Sequence, residues 1–417
     1  MYNFLFIIIL SITNIISSKL FYIPFTEISG SYYMNLTIGN PYQKQLKAID
    51  QELAITWTDN YFYNPNNSSS SKELSEVTLS FRKINLYGNL YSDIITFINE
   101  EYKPIILKDF NFAVIKNTKG YDSRVGGFGF AYKFSDLKYS IIHFLYDKNL
   151  ISKRSFGIIP NDNLKINYGK FFFGGLPNQL INNLYKSYCK VTNKYNFWSC
   201  EMSYIFFGEI SDKYENKYYQ NNDYSYFNTA EHRILVPVKF MEYLKENYFR
   251  EYLNNKSCEY ILYGMNFRFE CKCDIINNFE KLTFIFDSFQ FVFNYSQLFQ
   301  EYGGGICNSI IYSNHLRYNN FVFGTPFLKL FYTEFSYDDK IVYFYSSKKF
   351  ESIEWDKIFP WRKTIRYAFY LILILFAILS IFYMKNKMKK NKRKGYKKFS
   401  EKINKENESI IELNENL

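Results

Sequence analysis

The stretch from Tyr33 to Trp57 places a carboxylic acid at the end of a predicted buried strand. Its residues are YMNLTIGNPYQKQLKAIDQELAITW. Residues Tyr33 to Ile38 predict a strand, Gly39-Asn40-Pro41 is typical of a turn, and Gln43 to Ile49 predict the return strand of a hairpin. The acid, Asp50, follows an apolar pair. Because burying a carboxylate costs stability, an acid at this position indicates function more often than structure.

This stretch resembles the first active-site region of the pepsin-like aspartic peptidases. That family carries IGTPPQ, a strand, Asp-Thr-Gly-Ser and then a Trp. The present chain carries IGNPYQ at residues 38–43, then Asp50 and Trp57 in the same order. Gln51, Glu52 and Leu53 stand where the family has Thr-Gly-Ser. The resemblance implies that Asp50 is one of two catalytic carboxylates and that the loop around it has changed.

The second half of the chain repeats this pattern, which is the strongest indication of its architecture. An extended segment leads into Asn228-Thr229-Ala230-Glu231-His232, and Pro237 follows nine positions after Asn228. The family reads Asp-Thr-Gly-Thr-Ser there, with Pro at the same offset. Asn228 therefore stands at the second catalytic Asp, Ala230 replaces Gly, and Thr229 is retained. The resemblance implies a cleft that includes Asp50, Gln51, Glu52, Asn228, Thr229 and Ala230.

Residues Val77 to Phe97 resemble the flap hairpin that covers the cleft in this family. The flap Tyr position falls on Phe81, and the Gly after it falls on Arg82. Loss of the hydroxyl would remove a hydrogen bond to the catalytic water network. Arginine at the glycine position disfavours a tight turn with positive φ. Alternatively, Phe81 is simply one more strand aromatic.

Three further segments resemble conserved strands of the same family, so the resemblance covers about residues 21–347. They are VGGFGF at 125–130, GKFFFGG at 169–175 and GTPFLKLFYTEF at 324–335. The resemblance implies an all-β, bilobal pepsin-like fold, in which two β-barrel-like lobes surround a central cleft. We predict the N-terminal lobe over residues 19–184 and the C-terminal lobe over residues 185–350.

Two uncharged apolar runs predict how the chain is placed relative to a membrane. Residues 4–16, followed by two serines, are typical of a secretory signal peptide over residues 1–18, although an uncleaved anchor fits the same run. Residues 367–384 contain no charge and predict one transmembrane helix. Nine Lys or Arg follow within residues 385–398. They predict a type I protein of the secretory pathway or cell surface, with its ectodomain luminal or extracellular.

The charge distribution argues against a nucleic-acid partner. The predicted basic cytoplasmic tail, residues 385–417, holds 11 basic and 5 acidic residues and so accounts for +6 of the net charge of +11. Only +5 remains for the rest of the chain, which gives little support to nucleic-acid binding. The tail is also suited to contact anionic lipid, although a stop-transfer signal alone is the better explanation of its charges. Residues 351–366, between the second lobe and the apolar run, are predicted to be a juxtamembrane linker.

All six cysteines lie in the predicted ectodomain, and an even number in an exported chain predicts disulfide bonds. The sequence alone allows about 15 pairings. Cys189 with Cys200 would close a short hairpin. The family resemblance implies a second bond, from Cys271 or Cys273 to Cys307.

The sequence predicts neither a metal nor a cofactor. It contains no CxxC motif, and its three histidines are far apart, at His143, His232 and His315. Glycosylation sequons are present and fit an exported ectodomain, although each is a weak motif alone. They begin at Asn35, Asn66, Asn67, Asn255 and Asn294.

The asparagine at position 228 predicts the loss of peptidase chemistry. The mechanism of the family needs two carboxylates about 3 Å apart that share one proton. The carboxamide of Asn228 cannot exchange a proton near neutral pH. Our leading hypothesis is therefore a membrane-anchored pseudoprotease. Its cleft would bind a peptide or protein ligand by strand pairing without cutting it, or the domain would serve only as a stable surface module.

Two other functions stay open at this point. A divergent but active aspartic-type endopeptidase would use Asp50 with a displaced acid. Glu52 and Glu231 are nearby candidates, whereas Asp223 precedes the second loop and is a poor replacement; His232 would pair with either acid or lie partly exposed. A surface adhesion or carbohydrate-binding protein would keep the fold and abandon the cleft.

Overall fold

A computed structural model describes most of the chain between residues 21 and 415. The described residues are 21–51, 53–81, 84–117, 126–132, 139–160, 168–192, 197–208, 210, 217–221, 224–264, 266–314, 320–353 and 361–415. The predicted signal peptide lies outside them. So do four residues named above: Glu52, Arg82, Asp223 and His315.

In the described part of the chain, the first sheet has 13 strands. Eleven come from the first half: β1 (Phe21–Ile28), β2 (Ser31–Ile38), β3 (Gln43–Asp50), β4 (Trp57–Asp59), β5 (Lys72–Phe81), β6 (Ile84–Ile98), β7 (Pro104–Asn117), β8 (Gly127–Gly129), β9 (Ser155–Ile159), β10 (Tyr168–Phe173) and β11 (Tyr185–Lys190). Two come from the end of the folded domain, β24 (Tyr332–Ser336) and β25 (Ile341–Ser346). The strand order is β11-β25-β24-β9-β10-β1-β2-β3-β8-β4-β7-β6-β5, and β2 also pairs with β6.

The second sheet has 12 strands within the same described ranges. They are β12 (Ser199–Phe207), β13 (Lys217–Gln220), β14 (Tyr224–Phe227), β15 (Ile234–Val236), β16 (Cys258–Tyr263), β17 (Asn266–Lys272), β18 (Leu282–Phe286), β19 (Phe289–Phe293), β20 (Phe299–Gly303), β21 (Ile306–Ser309), β22 (Ile311–Asn314) and β23 (Phe321–Phe323). The main path runs β19-β18-β12-β14-β23-β15-β22-β17-β21-β20, with β13 beside β12 and β16 beside β17.

Short helices connect the strands of the folded domain. They are α1 (Ile141–Asp147), α2 (Asn178–Ile181), α3 (Val238–Asn247), α4 (Arg250–Asn254), α5 (Tyr295–Leu298) and α6 (Thr325–Leu328), with 3-10 turns at Pro65–Asn67 and Cys273–Asn278. Helix α1 lies within residues 140–150, where apolar spacing predicts a helix. The domain is thus mostly β, as the resemblance implied.

Aromatic side chains fill the core where the two halves of the chain meet. The ring of Phe156 stacks on Phe335 at 4.8 Å and meets Trp198 edge-on at 5.6 Å. The indole N–H of Trp198 donates to the carbonyl of Phe130 at 2.7 Å. Large aromatic rings bury much apolar area each, and a buried indole needs such a partner. The richness of the sequence in Phe and Tyr is therefore used inside the domain.

The first sheet crosses the predicted boundary between the lobes. β24 pairs antiparallel with β9, and β25 pairs antiparallel with β11. The last strands of the folded domain therefore complete a sheet that begins at Phe21. The limits of the two lobes, residues 19–184 and 185–350, stay predictions.

Three disulfide bonds account for all six cysteines. They join Cys189 to Cys200, Cys258 to Cys271, and Cys273 to Cys307. The short hairpin bond and the bond to Cys307 are confirmed, and Cys273 rather than Cys271 is the partner of Cys307. Cys258 and Cys271 form the remaining pair.

The C-terminal helix, α7 (Trp361–Glu415), is a separate unit from the folded domain. Its part from Thr364 to Ser400 is long enough to cross a membrane and contains an 18-residue apolar window with a mean hydropathy of 2.4 and no burial within the molecule. It contains the predicted span, residues 367–384, and continues through the basic residues after it. Among the residues that the structure describes, this helix is the one candidate membrane span, and its orientation stays a prediction.

Candidate functional site

The β2–β3 hairpin carries Asp50 into the site. The two strands pair antiparallel along their length, as their pattern predicted. In the turn, Gly39 has a φ of +90°, and a Cβ there would lie 2.8 Å from the hydroxyl oxygen of Ser68. The same oxygen accepts the backbone N–H of Asn40 at 2.9 Å. Only glycine fits this turn without strain, and the turn sets the register that brings Asp50 to the end of β3.

Asp50 is almost fully buried, with 5% exposure, next to two glycines of β8. β3 runs parallel to β8 with Asp50 opposite Gly129, and the carbonyl of Asp50 accepts the N–H of Phe130 at 2.7 Å. A Cβ at Gly127 would lie 2.6 Å from the indole nitrogen of Trp57 and 3.3 Å from the Cβ of Asp50. Glycine on β8 is therefore what allows this backbone to approach the acid loop so closely.

Asn228 occupies the corresponding place in the second half of the chain. It follows β14, which runs parallel to β23 as β3 runs parallel to β8. Asn228 is 1% exposed, and its N–H donates to the carbonyl of Phe323 at 3.0 Å. Its side-chain Oδ1 accepts the N–H of Ala230 at 2.8 Å. Asp50 and Asn228 thus each stand at the end of a strand that runs parallel to a neighbouring strand.

Hydrogen bonds join the Asn228 loop directly to the first half of the chain. The hydroxyl of Thr229 donates to the carbonyl of Ile49 at 2.7 Å, and its N–H donates to Oε1 of Gln51 at 3.0 Å. The hydroxyl of Ser31 donates to the carbonyl of Ala230 at 3.0 Å. The structure therefore brings together five of the predicted site residues: Asp50, Gln51, Asn228, Thr229 and Ala230.

The contact between the loops is asymmetric because Gln51 and Thr229 are different residues. Gln51 is fully buried and uses its carboxamide oxygen to accept the N–H of Thr229. Its amide nitrogen, Nε2, is buried and makes no hydrogen bond to a residue that the structure describes. Thr229 instead uses a hydroxyl to reach the backbone of the opposite loop. The link survives the change at position 51, although with different chemistry on each side.

Glu231 and His232 lie beside this link. The carbonyl of Glu231 accepts the N–H of Thr325 at 2.8 Å, and its side chain is 14% exposed. Its Oε1 lies 3.7 Å from Nδ1 of His232. Burial of the imidazole and the nearby charge of Arg233 lower the pKa of His232 to about 4. His232 is therefore neutral near pH 7, and the contact with Glu231 is not an ion pair there.

The hairpin predicted over Val77 to Phe97 is formed by β5 and β6, which pair as far as Phe81 and Ile84. β5 ends the first sheet, with β6 as its neighbour in the described strand order. The structure describes neither the side chain of Phe81 nor any part of Arg82. Their predicted effects on the flap stay predictions.

The burial of a lysine in β3 was not predicted from the sequence. Lys47 has no exposed surface, and its Nζ donates to the hydroxyl of Thr58 at 2.7 Å, which in turn donates to Oε1 of Gln45 at 3.1 Å. Burial lowers the pKa of Lys47 to about 7, against the opposing attraction of Asp59. The alternation of the strand could have predicted this burial, because Gln45, Lys47 and Ile49 lie at every second position on its inward face.

These residues limit the chemistry of the site. Asp50 supplies one carboxylate, whereas Asn228 supplies a carboxamide whose oxygen is engaged by the loop backbone. Across the described ranges, no group of three His, Cys, Asp or Glu side chains is arranged to hold a metal ion. In the described residues, the two loops are joined by hydrogen bonds, and they carry the carboxylate of Asp50 and the carboxamide of Asn228.

Comparison with known proteins connects this geometry to a family. The family model for eukaryotic aspartyl proteases matches residues 31–346. None of the curated proteins matches the chain. Among solved structures, 389 chains match, and one of them is basic 7S globulin from soybean. It superposes with a TM-score of 0.64 and 12% identity over 80% of this chain and 96% of the globulin chain, a likeness that shows the fold alone.

Proposed function

The chain belongs to the eukaryotic aspartyl protease family, and from this premise we propose that it is a membrane-anchored, non-hydrolytic member whose cleft binds extended peptide. Family membership establishes the fold, whereas the chemistry depends on single residues. The proposed function is that of a peptide receptor on the peptidase fold.

The observation that carries the proposal is the carboxamide of Asn228 in the loop opposite Asp50. Two carboxylates in contact share a proton because they cannot both ionise, and this shared proton is what the hydrolytic mechanism moves. A carboxamide neither gains nor loses a proton near neutral pH. The Oδ1 of Asn228 is moreover engaged by the N–H of Ala230. Asp50 therefore lacks, at this position, the partner that would protonate a substrate carbonyl.

The intact connection between the loops supports binding rather than decay of the cleft. Thr229 still spans both loops through Ile49 and Gln51, and Asp50 and Asn228 are still held at the ends of buried strands. A buried hydrogen-bonded network that is mostly satisfied makes a local structure rigid. Rigid walls lower the entropy cost of binding a flexible peptide.

β5 offers a way to hold an extended peptide. It ends the described strand order of the first sheet. The outer edge of such a strand presents backbone N–H and C=O groups that an added strand can pair with. Main-chain pairing is tolerant of ligand sequence, so selectivity would come from the side chains around the cleft.

The anchoring part of the proposal rests on α7 and the cysteines. The apolar length of the helix and three disulfide bonds are consistent with a single-pass protein of the secretory pathway. The dense Lys and Arg residues after Met384 favour a cytoplasmic tail and a luminal or extracellular peptide-binding domain.

The test uses full-length protein in mild detergent and a mixed peptide library at pH values from about 3 to 7, where a shared-proton pair would titrate. Two readouts are taken: new peptide termini, which report cleavage, and peptides retained by immobilised protein, which report binding. The wild type should retain peptides and generate no new termini. The Asn228→Asp variant should gain cleavage if the missing carboxylate is the main defect.

Two further variants make the result interpretable. Asn247→Asp makes the same chemical change on an exposed helix position and should gain nothing. Cleavage by the wild type that disappears in Asp50→Asn would overturn the non-hydrolytic assignment. Failure of the wild type to retain any peptide would overturn the receptor assignment.

A second candidate function is an active peptidase that uses Asp50 with Glu231. The observation in its favour is the largely buried Glu231 side chain in the loop that carries Asn228. This candidate requires the wild type to cleave peptides and the Glu231→Gln variant to lose that cleavage. Cleavage that survives in Glu231→Gln would exclude it.

A further inference from the structure

Four of the six cysteines lie close together on, or directly after, three neighbouring strands of the second sheet. β17 runs between β16 and β21. Cys271 on β17 stands directly opposite Cys258 on one neighbour and directly opposite Cys307 on the other. Cys273 follows two residues after Cys271, where β17 gives way to a 3-10 turn. Two disulfide bonds, Cys258–Cys271 and Cys273–Cys307, are therefore neighbours.

The register makes Cys271 a possible partner of both Cys258 and Cys307. Directly opposed residues of antiparallel strands have Cα atoms about 4.5–5.5 Å apart, with both side chains on the same face of the sheet. Disulfide bonds form over Cα separations of about 4.4–6.8 Å. A bond from Cys271 to Cys307 therefore needs no strand movement beyond rotation of the side chains.

We propose that these four cysteines form a thiol–disulfide exchange site, at which a dithiol reductant converts the two native bonds into a single Cys271–Cys307 bond. The substrate class is a small dithiol or the dithiol of an oxidoreductase. The inference is independent of the peptide-binding function, because none of the four cysteines is one of the predicted cleft residues.

Access decides which bond the reductant attacks first. Cys258, Cys271 and Cys307 are 1–3% exposed, whereas Cys273 is only partly buried. The N–H of Cys273 donates to the carbonyl of Gly305, which belongs to an exposed run of three glycines. An incoming thiolate therefore reaches the sulfur of Cys273 before the other three.

The exchange balances with one dithiol. A thiolate of the reductant bonds to Cys273 and releases Cys307 as a thiolate. The Cys307 thiolate attacks the sulfur of Cys271, the Cys271–Cys307 bond forms, and Cys258 leaves as a thiolate. The second thiol of the reductant then attacks the mixed disulfide and releases Cys273. The reductant is oxidised to a disulfide, and the protein gains two thiols, on Cys258 and Cys273, after protonation.

The product has a defined structural consequence. The 3-10 turn Cys273–Asn278 loses its covalent bond to β21, and β16 loses its covalent bond to β17. Phe279, directly after the turn, packs on Phe249 at 5.1 Å and on Tyr252 at 4.4 Å. The exchange would therefore loosen the segment that holds this aromatic cluster, while keeping the central strands joined.

Trypsin makes the rearrangement directly measurable, because Lys272 separates Cys271 from Cys273. The full-length protein is treated with graded dithiothreitol under native conditions, trapped with N-ethylmaleimide, and digested without reduction. The native bonds join peptide 257–268 to 269–272 and peptide 273–281 to 282–317. Exchange joins 269–272 to 282–317 and places maleimide on Cys258 and Cys273.

The Cys189–Cys200 bond is the internal control, because both its residues are fully buried and their strand neighbours are not cysteines. The exchanged peptide pair should become a major product at dithiothreitol levels that leave Cys189–Cys200 oxidised. Reduction of the two native bonds without formation of the 269–272 to 282–317 pair would overturn the proposal.

Two variants test the same route without a reductant. Cys273→Ser leaves Cys307 as a thiol from the start, and the Cys271–Cys307 pair should then form at the expense of Cys258–Cys271. Cys189→Ser, the matched control, should leave both native bonds of the cluster unchanged. Retention of Cys258–Cys271 with alkylated Cys307 in Cys273→Ser would contradict the exchange.

Discussion

At the scale of the residue, Gln51 takes part in the contact between the two site loops, whereas Lys47 lies in the strand that leads into the site. Gln51 replaces a small residue of the family pattern and joins the two loops through its carboxamide oxygen. Lys47 lies on the inward face of the strand that delivers Asp50, and its ammonium group is buried next to Thr58. Burying an ammonium group is costly, and the cost depends on pH because the group can lose its proton.

The lysine makes the stability of the domain depend on pH in a predictable direction. Its pKa is about 7 in the folded protein, against an ordinary value of 10.5. Between these values the unfolded chain binds more protons, so this group makes stability rise with pH. Below about pH 7 both states are protonated, and the cost of the buried charge is complete, at roughly 3–5 kcal/mol.

The Lys47→Met variant tests this sign. Its free energy of unfolding should exceed that of the wild type most below pH 7, and the difference should shrink as the pH rises toward 10. Fluorescence of the buried residues Trp57 and Trp198 during denaturant titrations measures it. Lys44→Met, an exposed position on the same strand, is the control. A Lys47→Met difference that is constant with pH, or that grows with pH, would contradict the assignment.

At the scale of the element, two parallel strand pairs hold the site: β3 with β8, and β14 with β23. In the first pair, glycines let β8 pass against the loop after Asp50. A Cβ at Gly129 would lie 2.6–2.7 Å from backbone atoms of Ala54 and Ile55. Backbone atoms cannot move aside as the end of a side chain can, so the close approach depends on the missing Cβ.

The Gly129→Ala variant should therefore destabilise the domain by about 1–3 kcal/mol, as overpacking of a buried site does. It should also weaken peptide retention, because the displaced loop carries Asp50 and Gln51. Chemical unfolding and the retention assay measure the two effects. Gly395→Ala, where no atom lies within 4 Å of the added methyl, is the control. Wild-type stability in Gly129→Ala would show that the loop can shift freely.

The sequence could predict these elements because motifs and strand patterns are local. The IGNPYQ turn, the glycines of residues 126–129 and the repeat around Asn228 each place a backbone without knowledge of distant contacts. The partner of Cys307 could not be chosen between Cys271 and Cys273, because both face the same strand edge. The role of Gln51 was equally hidden, since its oxygen meets the N–H of Thr229 only after the two halves have folded together.

At the scale of the whole molecule, a folded β domain and a long apolar helix are separate units of one chain. The folded domain contains all three disulfide bonds and the candidate site, and the helix contains the candidate membrane span. Hydropathy alone predicts such a span well, because exposed apolar residues over this length have no favourable place in water.

Truncation tests this division of roles. A chain that ends at Ile353 should leave the membrane fraction and appear in the soluble or secreted fraction with its disulfide bonds formed. A chain that ends at Lys390 keeps the apolar run and should stay in the membrane. Carbonate extraction followed by immunoblotting measures both. Membrane retention of the chain that ends at Ile353 would contradict anchoring by α7.

The strand order of the first sheet also determines how long each strand waits for its neighbour during synthesis. β9 is complete at Ile159, but its neighbour β24 begins only at Tyr332. At about 5–20 residues per second, β9 waits roughly 10–35 s with one edge unpaired. The ribosome meanwhile approaches the apolar helix, which begins soon after β25 closes the sheet. Synthesis of the last strand of the sheet and of the candidate membrane span thus fall in the same short interval, and a nascent chain delayed there would expose an aggregation-prone strand edge to its neighbours.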